Sequence, residues 1–334
     1  MKKKLGILCL ILIIVTGLGV TVTAVRQVDI QDKKEKLTIV TSFYPIYIAA
    51  VNLTDGLENV EVVNLTENAG GCLHDYQLTT NDMKTLEQAD IFIMNGGGME
   101  GFVQDVIKAY PDLKIVDSSE GIELLESITE HNHEEEEISS EHLHEGEEEI
   151  SSGHLHEEEE HDHGVYNAHM WLSPTLYVQQ IENIKDGLCK WDEKNASGYV
   201  ENAKAYEKKV KALQDEIKAQ LSNPKNTEAI IFHDSFAYLA KELGIEIVYA
   251  IDMDGDTSLG AGQVAEIVDE VNLHQIKLLF TEEQFKDMIA KSVSEETGAN
   301  VYVIDSLVSG EWDKDAYIRG MENNIKVLKE ALYQ

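Results

Sequence analysis

The sequence predicts an α/β protein of two lobes, each with a mostly parallel sheet flanked by helices, joined by one long rigid helix. Short β-branched runs alternate with amphipathic stretches in two separate blocks, and such alternation requires crossover connections and parallel strands. Between the blocks lies a long stretch without proline whose apolar residues recur at helical intervals. With 334 residues, 43% of them hydrophobic, the chain is long enough for two domains with a core each.

The first block, residues 37–130, is predicted to form the amino-terminal lobe. Its predicted strands are Leu37–Ser42, Val60–Leu65, Ile91–Asn95 and Lys114–Asp117. Its predicted helices are Ile46–Leu57, Asn81–Ala89 and Gly101–Tyr110. Residues 131–163 interrupt this lobe as an acidic, histidine-rich segment, after which residues 164–174 are expected to return the chain to it.

Residues 175–222 are predicted to form the linking helix, either continuous or interrupted near Asn195–Gly198. The second block, residues 226–334, is predicted to form the carboxyl-terminal lobe. Its predicted strands are Ala229–Phe232, Glu246–Ala250, Lys277–Phe280 and Val301–Ile304, and its predicted helices are Phe236–Leu243, Gln263–Leu273, Glu283–Glu296 and Ala316–Leu332. Ligands of open α/β sheets bind beyond the carboxyl ends of strands, so a site is expected between the lobes.

The amino-terminal residues 1–24 have the features of an export signal. Three lysines precede an apolar run that ends near the small residue Ala24. A run of this length can also span a bilayer as an uncleaved anchor, so both readings remain open, and both predict an extracytoplasmic protein. Cys9 lies too early in the run for a lipid-modified cysteine. Cys72 and Cys189 could form a disulfide in an oxidising compartment, which their spacing alone does not show.

The charge of the chain excludes one class of partner. With 27 Lys and Arg against 62 Asp and Glu, the formal net charge is −35. Binding to a phosphate backbone needs clustered basic side chains, so we expect no nucleic-acid partner.

Much of the acidity lies in residues 131–163, which contain thirteen Glu, one Asp, eight His and no Lys or Arg. The sequence EEEISSEHLHE at 135–145 recurs as EEEISSGHLHE at 147–157. Because few of these residues are apolar, the segment is predicted to be a disordered surface loop. Two roles are open: a solvated tether, or a weak trap in which His-Leu-His pairs and nearby carboxylates bind metal at several sites.

Four histidines lie outside that loop, and three of them have a loop-like setting. His74 and His169 precede helices, and His233 directly follows an apolar strand-like run. Asp305 ends another predicted strand. One such histidine is often a capping or surface residue, but three imidazoles with one carboxylate suit the tetrahedral coordination of Zn²⁺. We therefore predict His74, His169, His233 and Asp305 as metal ligands, and assign His274 to an ordinary helix end.

The short sequence motifs around these residues resemble those of a known family. They are Leu73-His74-Asp75-Tyr76, Ala168-His169-Met170-Trp171-Leu172-Ser173-Pro174, Phe232-His233-Asp234-Ser235-Phe236-Ala237-Tyr238-Leu239 and Ile304-Asp305-Ser306-Leu307. In order, and over nearly the whole chain after its amino-terminal segment, they are similar to the zinc/manganese solute-binding proteins of ABC importers, the cluster A-I that includes ZnuA-like and AdcA-like proteins.

The resemblance implies a metal held between two α/β lobes that a long helix bridges. His74 and His169 would be the ligands from the first lobe, and His233 and Asp305 those from the second. Members that favour Mn²⁺ tend to carry Glu where His233 stands, so zinc is expected and manganese is the lesser candidate. The chain departs from the family at Gln77-Leu78 and Asn167-Ala168, where Glu-Pro and Asp-Pro are usual, which affects the loops and hydrogen bonds around the ligands.

The function predicted from these observations is high-affinity zinc binding outside the cytoplasm, with delivery of the ion to an ABC importer permease. A closed shell of four protein ligands leaves no position for a reacting water, so we expect that the protein is not an enzyme. We also expect it to be a monomer. Two alternatives remain. One is a secreted zinc-dependent hydrolase, with Asp305 or Glu282 as general base. The other is a metal-buffering adhesin whose active part is the loop 131–163.

Overall fold

The computed structural model describes residues 36–66, 76–128, 166–251, 253 and 259–334. These residues form two four-stranded parallel sheets flanked by helices. The predicted two-lobed α/β class is therefore confirmed. Several predicted features lie outside the described residues: the amino-terminal segment 1–24, Cys72, His74 and the acidic segment 131–163.

The first lobe is built on a sheet with the strand order β2-β1-β3-β4. Its strands are β1 (Leu37–Thr41), β2 (Val60–Asn64), β3 (Ile91–Met94) and β4 (Lys114–Asp117). Its helices are α1 (Tyr44–Leu53), α2 (Thr80–Glu87) and α3 (Val103–Ala109). Local capping fixes the start of α2. Thr79 and Asp82 form a capping box, so this helix starts one residue earlier than predicted.

The chain on either side of residues 129–165 is held together by a short antiparallel ladder. Strand β5 (Leu125–Glu126) pairs with β6 (Tyr166–Asn167). The side chain of Asn95, just beyond β3, donates a hydrogen bond of 2.9 Å to the carbonyl oxygen of Ala168. The ladder is thereby tied to the first lobe, and it brings Glu126 and Tyr166 side by side.

Two helices occupy the stretch that the apolar pattern predicted as one helix with a possible break. They are α4 (Pro174–Trp191) and α5 (Ala196–Gln220), and they pack against each other. Asp192 between them has non-helical backbone angles, and its carboxylate accepts hydrogen bonds from the side chains of Asn195 and Tyr199. The break thus falls at 192–195, before the predicted position. The long linking helix is the 25-residue α5.

The second lobe has the strand order β10-β9-β7-β8. Its strands are β7 (Glu228–Ile231), β8 (Glu246–Ala250), β9 (Leu278–Thr281) and β10 (Asn300–Val303). Its helices are α6 (Ala237–Leu243), α7 (Ala261–His274), α8 (Lys286–Ile289), α9 (Glu295–Thr297) and α10 (Ala316–Tyr333). Helices α8 and α9 flank a π-helical turn, Ala290–Ser294, where one continuous helix was predicted.

One hydrophobic core runs through both lobes. It includes Phe43 from the first lobe, Tyr177 from α4, Tyr206 from α5 and Tyr317 from the second lobe. The rings of Tyr177 and Tyr317 stack with 4.0 Å between their centroids. Because closely packed interiors resist sliding, this shared core restricts relative motion of the lobes.

The segment 308–315, which follows Asp305 in the second lobe, also straps the lobes together. Tyr44 in α1 donates a hydrogen bond of 2.6 Å to the carbonyl oxygen of Glu311, and Asn52 donates one of 2.8 Å to that of Lys314. The ring of Trp312 meets those of Tyr44 and Tyr47 edge to face. The backbone beyond Asp305 is therefore anchored on the opposite lobe.

None of the helices in the described ranges has the length and apolar character needed to cross a bilayer. Cys189 is half-buried in α4, and its Sγ lies 3.6 Å from the carbonyl oxygen of Ala196. The suggested disulfide with Cys72 stays a prediction, since Cys72 lies outside the described part of the chain.

A buried carboxyl group in the first lobe predicts a pH dependence of stability. Glu100 is 3% exposed and accepts hydrogen bonds from the backbone N–H groups of Asn95 and Gly96. Burial raises the pKa of Glu100 from 4.5 to about 7, although those hydrogen bonds oppose the rise. Between these values the folded chain keeps a proton that the unfolded chain has released, so the free energy of unfolding should fall as pH rises, by about 3 kcal/mol.

Glu100→Gln tests this, because the amide stays neutral at every pH. Urea unfolding of both chains between pH 4.5 and 8 should show a decline in the native chain that the variant lacks. If the free energy of unfolding depended on pH in the same way in both chains, Glu100 would be ionised in the folded protein throughout this range.

Candidate metal site

His169 lies two residues after β6, in the segment that leads back into the first lobe, and is fixed by Asn167. The ring is 2% exposed. The Oδ1 of Asn167 accepts a hydrogen bond of 2.9 Å from the backbone N–H of His169 and lies 3.0 Å from its Nδ1. An amide oxygen only accepts hydrogen bonds, so Nδ1 carries a proton and the lone pair is on Nε2. His169 is therefore held as the tautomer that presents Nε2 to a metal.

His233 follows β7 and lies directly beside His169. The two ring centroids are 5.2 Å apart at an interplanar angle of 77°. His233 is 3% exposed, in extended backbone, and its Nδ1 lies 3.3 Å from Oε1 of Glu282. The structure thus brings together two of the predicted ligands, one from each lobe, with both rings shielded from solvent.

Asn167 also links the two histidine segments. Its Nδ2 donates a hydrogen bond of 2.8 Å to the carbonyl oxygen of Asp234, next to His233. The hydroxyl of Tyr238 donates one of 2.7 Å to the carbonyl oxygen of Asn167. In the sequence, Asn167 stands out only as a departure from the family pattern. Its role depends on contacts between distant segments, which no local pattern reveals.

Asp305 follows β10 and is the solvent-exposed member of the predicted set. Asn324 fixes its backbone, because the Asn324 side chain accepts from the N–H of Asp305 and donates to its carbonyl oxygen. The Oδ1 of Asp305 accepts a hydrogen bond of 2.8 Å from the N–H of Leu307, whose φ of 58° is rare for a residue with a side chain. Partial burial of its carboxyl group and the negative charge of Glu282 raise the pKa of Asp305, which a bound cation would counteract.

Glu282 is the acidic residue of this region that the ligand prediction left out. It follows β9, which lies between β7 and β10, so it stands between His233 and Asp305 at the sheet edge. It is 8% exposed. Burial alone would raise the pKa of Glu282, but hydrogen bonding and charge from His233, with smaller contributions from Ser306 and Gln284, outweigh burial and lower it. Glu282 is thus a carboxylate that faces the His233 ring.

Trp171 connects the site to both lobes. Its side chain is fully buried, with ring centroids 5.0 Å from Phe43 and 5.1 Å from His169. The Nε1 donates a hydrogen bond of 2.8 Å to the carbonyl oxygen of Ser306, directly after Asp305. One side chain therefore contacts a candidate ligand from the first lobe and the backbone of Ser306, the residue after a candidate ligand of the second lobe.

The remaining histidine predictions have different outcomes. His74 lies outside the described residues, so its position stays a prediction. His274 is at the end of α7, with Nε2 3.4 Å from Oε2 of Glu270 on the same helix. Over residues 36–66, 76–128, 166–251, 253 and 259–334, no three His, Cys, Asp or Glu side chains gather closely enough to hold a metal ion. His169, His233 and Asp305 therefore do not form such a group among the described residues, and His74, the fourth predicted ligand, lies outside them.

Comparisons with known proteins agree on one family. The family described as "Zinc-uptake complex component A periplasmic" matches residues 39–331. The zinc-binding protein AdcA of Streptococcus pyogenes is 30% identical over 98% of this chain and 61% of its own length. The high-affinity zinc uptake system protein ZnuA of Bacillus subtilis is 29% identical over 90% of this chain and 89% of its own. The chain thus spans less than two thirds of the length of the AdcA relatives.

A solved structure shows the same fold. The crystal structure of Zn(II)-bound AdcA from Streptococcus pneumoniae superposes with a TM-score of 0.70 and 25% sequence identity. The match covers 90% of this chain and 58% of that one. The two-lobed architecture described above is therefore shared with a protein solved with zinc.

Proposed function

Because the chain belongs to the family of zinc-uptake complex component A, we propose that it binds Zn²⁺ outside the cytoplasm and delivers the ion to the permease of an ABC importer. The observation that carries this proposal is the pair of buried imidazoles, His169 and His233, which come from different lobes and lie 5.2 Å apart. The family consists of substrate-binding components of uptake systems, and the chain is not an enzyme. The zinc hydrolase alternative is set aside.

The proposed ligand set is His74, His169, His233 and Asp305. Three imidazoles and one carboxylate give the ligand number and type that Zn²⁺ prefers, whereas Mn²⁺ prefers more oxygen ligands. The hydrogen bonding of His169 supports this set, since it leaves Nε2 as the binding atom. The exposed Asp305 would be the ligand nearest to solvent.

The location follows from the relatives. The family description includes the word periplasmic, and a relative in Streptococcus pneumoniae is named a zinc-binding lipoprotein. An extracytoplasmic place is consistent with the apolar residues 5–22, which remain predicted as signal or anchor. A monomeric state also remains a prediction.

The shared core and α5 limit the motion that would accompany binding and release of the ion. Side chains of α5 contact α1 in the first lobe and α10 in the second, as in the hydrogen bonds from Asn202 to Leu53 and from Lys329 to Gln220. A wide hinge opening would break this packing. We therefore propose that loading and release involve a small tilt or loop rearrangement rather than separation of the lobes.

Uptake of radioactive ⁶⁵Zn by zinc-starved cells tests the delivery proposal. Cells that lack the chain should take up little zinc and recover when they express either the native chain or His274→Ala. The double variant His169→Ala/His233→Ala should not restore uptake, and excess Mn²⁺ should compete poorly. If purified chain binds zinc tightly and uptake is nevertheless the same with and without it, delivery to a permease is excluded.

Deletion of residues 131–163 separates the transport function from the buffering alternative. Strands β5 and β6 pair on either side of the segment, so a short linker should close the gap without disturbing the fold. Calorimetric titration should show that the one tight zinc site per chain survives while weaker sites disappear. Loss of tight binding together with the loop would favour the metal-buffering adhesin.

A further inference from the structure

The edge of the second sheet places three polar side chains in a row. The strand order β10-β9-β7 sets Glu282, after β9, between Asp305, after β10, and His233, after β7. The register agrees, because Phe280 of β9 pairs with Ile231 of β7 and with Tyr302 of β10. Glu282 is therefore part of the second lobe's binding edge, although it is more deeply buried than Asp305.

The Glu282 carboxylate has one oxygen held by a hydrogen bond and the other placed beside His233. Oε2 accepts a hydrogen bond from Nε2 of Gln284, two residues further along the turn. Oε1 lies 3.3 Å from Nδ1 of His233, at the end of the neighbouring strand. A buried carboxylate that is held on one oxygen by its own turn, with the other oxygen beside His233, has little freedom to turn towards another partner.

We infer that Glu282 is a positioning residue, which orients His233 so that its Nε2 points at the metal. A carboxylate can only accept a hydrogen bond, so the nitrogen that faces it carries the proton and the other nitrogen keeps its lone pair. The same contact makes the imidazole a stronger donor to a metal ion. This inference rests on the proposed zinc binding, and it assigns Glu282 no bond to the metal.

The two buried histidines are then oriented by different chemistry. His169 faces the neutral amide oxygen of Asn167, whereas His233 faces a charged carboxylate. Both arrangements favour the same tautomer, but only the carboxylate adds negative charge behind the ring. His233 should consequently be the more strongly binding imidazole of the pair.

Removal of Glu282 should weaken zinc binding without abolishing it. In Glu282→Ala the affinity should fall about 10- to 100-fold, the range typical of residues that orient a ligand. Glu282→Gln keeps an oxygen acceptor and should lose less. Glu283→Ala is the matched control, because the neighbouring Glu283 side chain is 76% exposed and should leave the affinity unchanged.

The experiment combines a chelator competition titration of these four chains with nitrogen-15 NMR of the histidine rings in zinc-free protein. We expect the Nδ1–H form of His233 in the native chain and a gain of the Nε2–H form in Glu282→Ala. Zinc affinity should decrease from the native chain to Glu282→Gln and further to Glu282→Ala. Unchanged tautomer and affinity in Glu282→Ala would overturn the inference. So would a loss beyond about 1000-fold with an altered Co²⁺ spectrum, which would make Glu282 a ligand.

The NMR measurement needs no metal, so it separates this inference from the proposed function. A tautomer change in Glu282→Ala supports positioning of His233 even if the native chain binds zinc weakly, which would contradict the function alone. Should Glu282→Ala fail to fold, as judged by urea unfolding without metal, the comparison of Glu282→Gln with the native chain decides. In that case an unchanged affinity and tautomer would overturn the inference.

Discussion

Replacement of His233 by alanine is expected to reduce zinc affinity about 100- to 1000-fold, and His169→Ala should have a smaller effect within the same range. Structural zinc sites bind with about 10–16 kcal/mol shared among four ligands, so one imidazole accounts for roughly a quarter of that energy. Both rings are buried and adjacent, so no nearby water can fully replace either of them. Competition with a zinc chelator of known affinity measures the loss.

His274→Ala provides the matched control for this pair. It also removes one imidazole, but from the end of α7, where His274 lies beside Glu270 with 44% of its side chain exposed. Its zinc affinity should equal that of the native chain. If all three alanine variants lost affinity equally, or if none did, the assignment of His169 and His233 as ligands would be wrong.

Trp171→Ala is expected to destabilise the protein by about 3–5 kcal/mol, the usual cost of removing a fully buried aromatic side chain. The indole packs on Phe43 and donates a hydrogen bond to the carbonyl oxygen of Ser306, which would be left without that donor. Since the ring also contacts His169, zinc affinity should fall in the same variant. Urea unfolding without metal measures the first effect, and chelator competition measures the second.

Trp191→Ala is the control for Trp171→Ala. Trp191 is 40% exposed and lies under the amino groups of Lys114 and Lys190, so its removal should cost about 1 kcal/mol or less and leave the zinc affinity unchanged. An equal effect of both substitutions on stability would show that Trp171 does not connect the two lobes as described.

The sequence was sufficient to predict the eight strands of the two parallel sheets, but not the short strands β5 and β6. Runs such as Leu37–Ser42 and Ile91–Asn95 are β-branched and bounded by polar residues, and buried parallel strands have this composition. The strand ends then carry the polar residues, which is why His233 and Asp305 could be placed at the carboxyl ends of strands in the second block. The structure brings the predicted ligands His169 and His233 into contact.

Features that depend on contacts between distant segments could not be predicted in this way. The polar run 192–198 suggested a possible interruption near Asn195–Gly198, but it gave no sign that α5 turns back to pack on α4. From the sequence, Glu282 could be recognised only as an acidic residue at a strand end. Its proximity to His233 arises from the pairing of β7 with β9. Trp171 likewise joins the lobes through a residue 135 positions away.

A crystal of the chain grown with zinc, with anomalous diffraction recorded at the zinc absorption edge, locates the ion without reference to any variant. We expect one strong peak between the lobes, about 2.0–2.1 Å from Nε2 of His169 and of His233, with His74 and Asp305 completing the shell. A peak elsewhere in the molecule, or an empty crevice in which these side chains point away from one another, would show that the chain does not hold zinc in the proposed way.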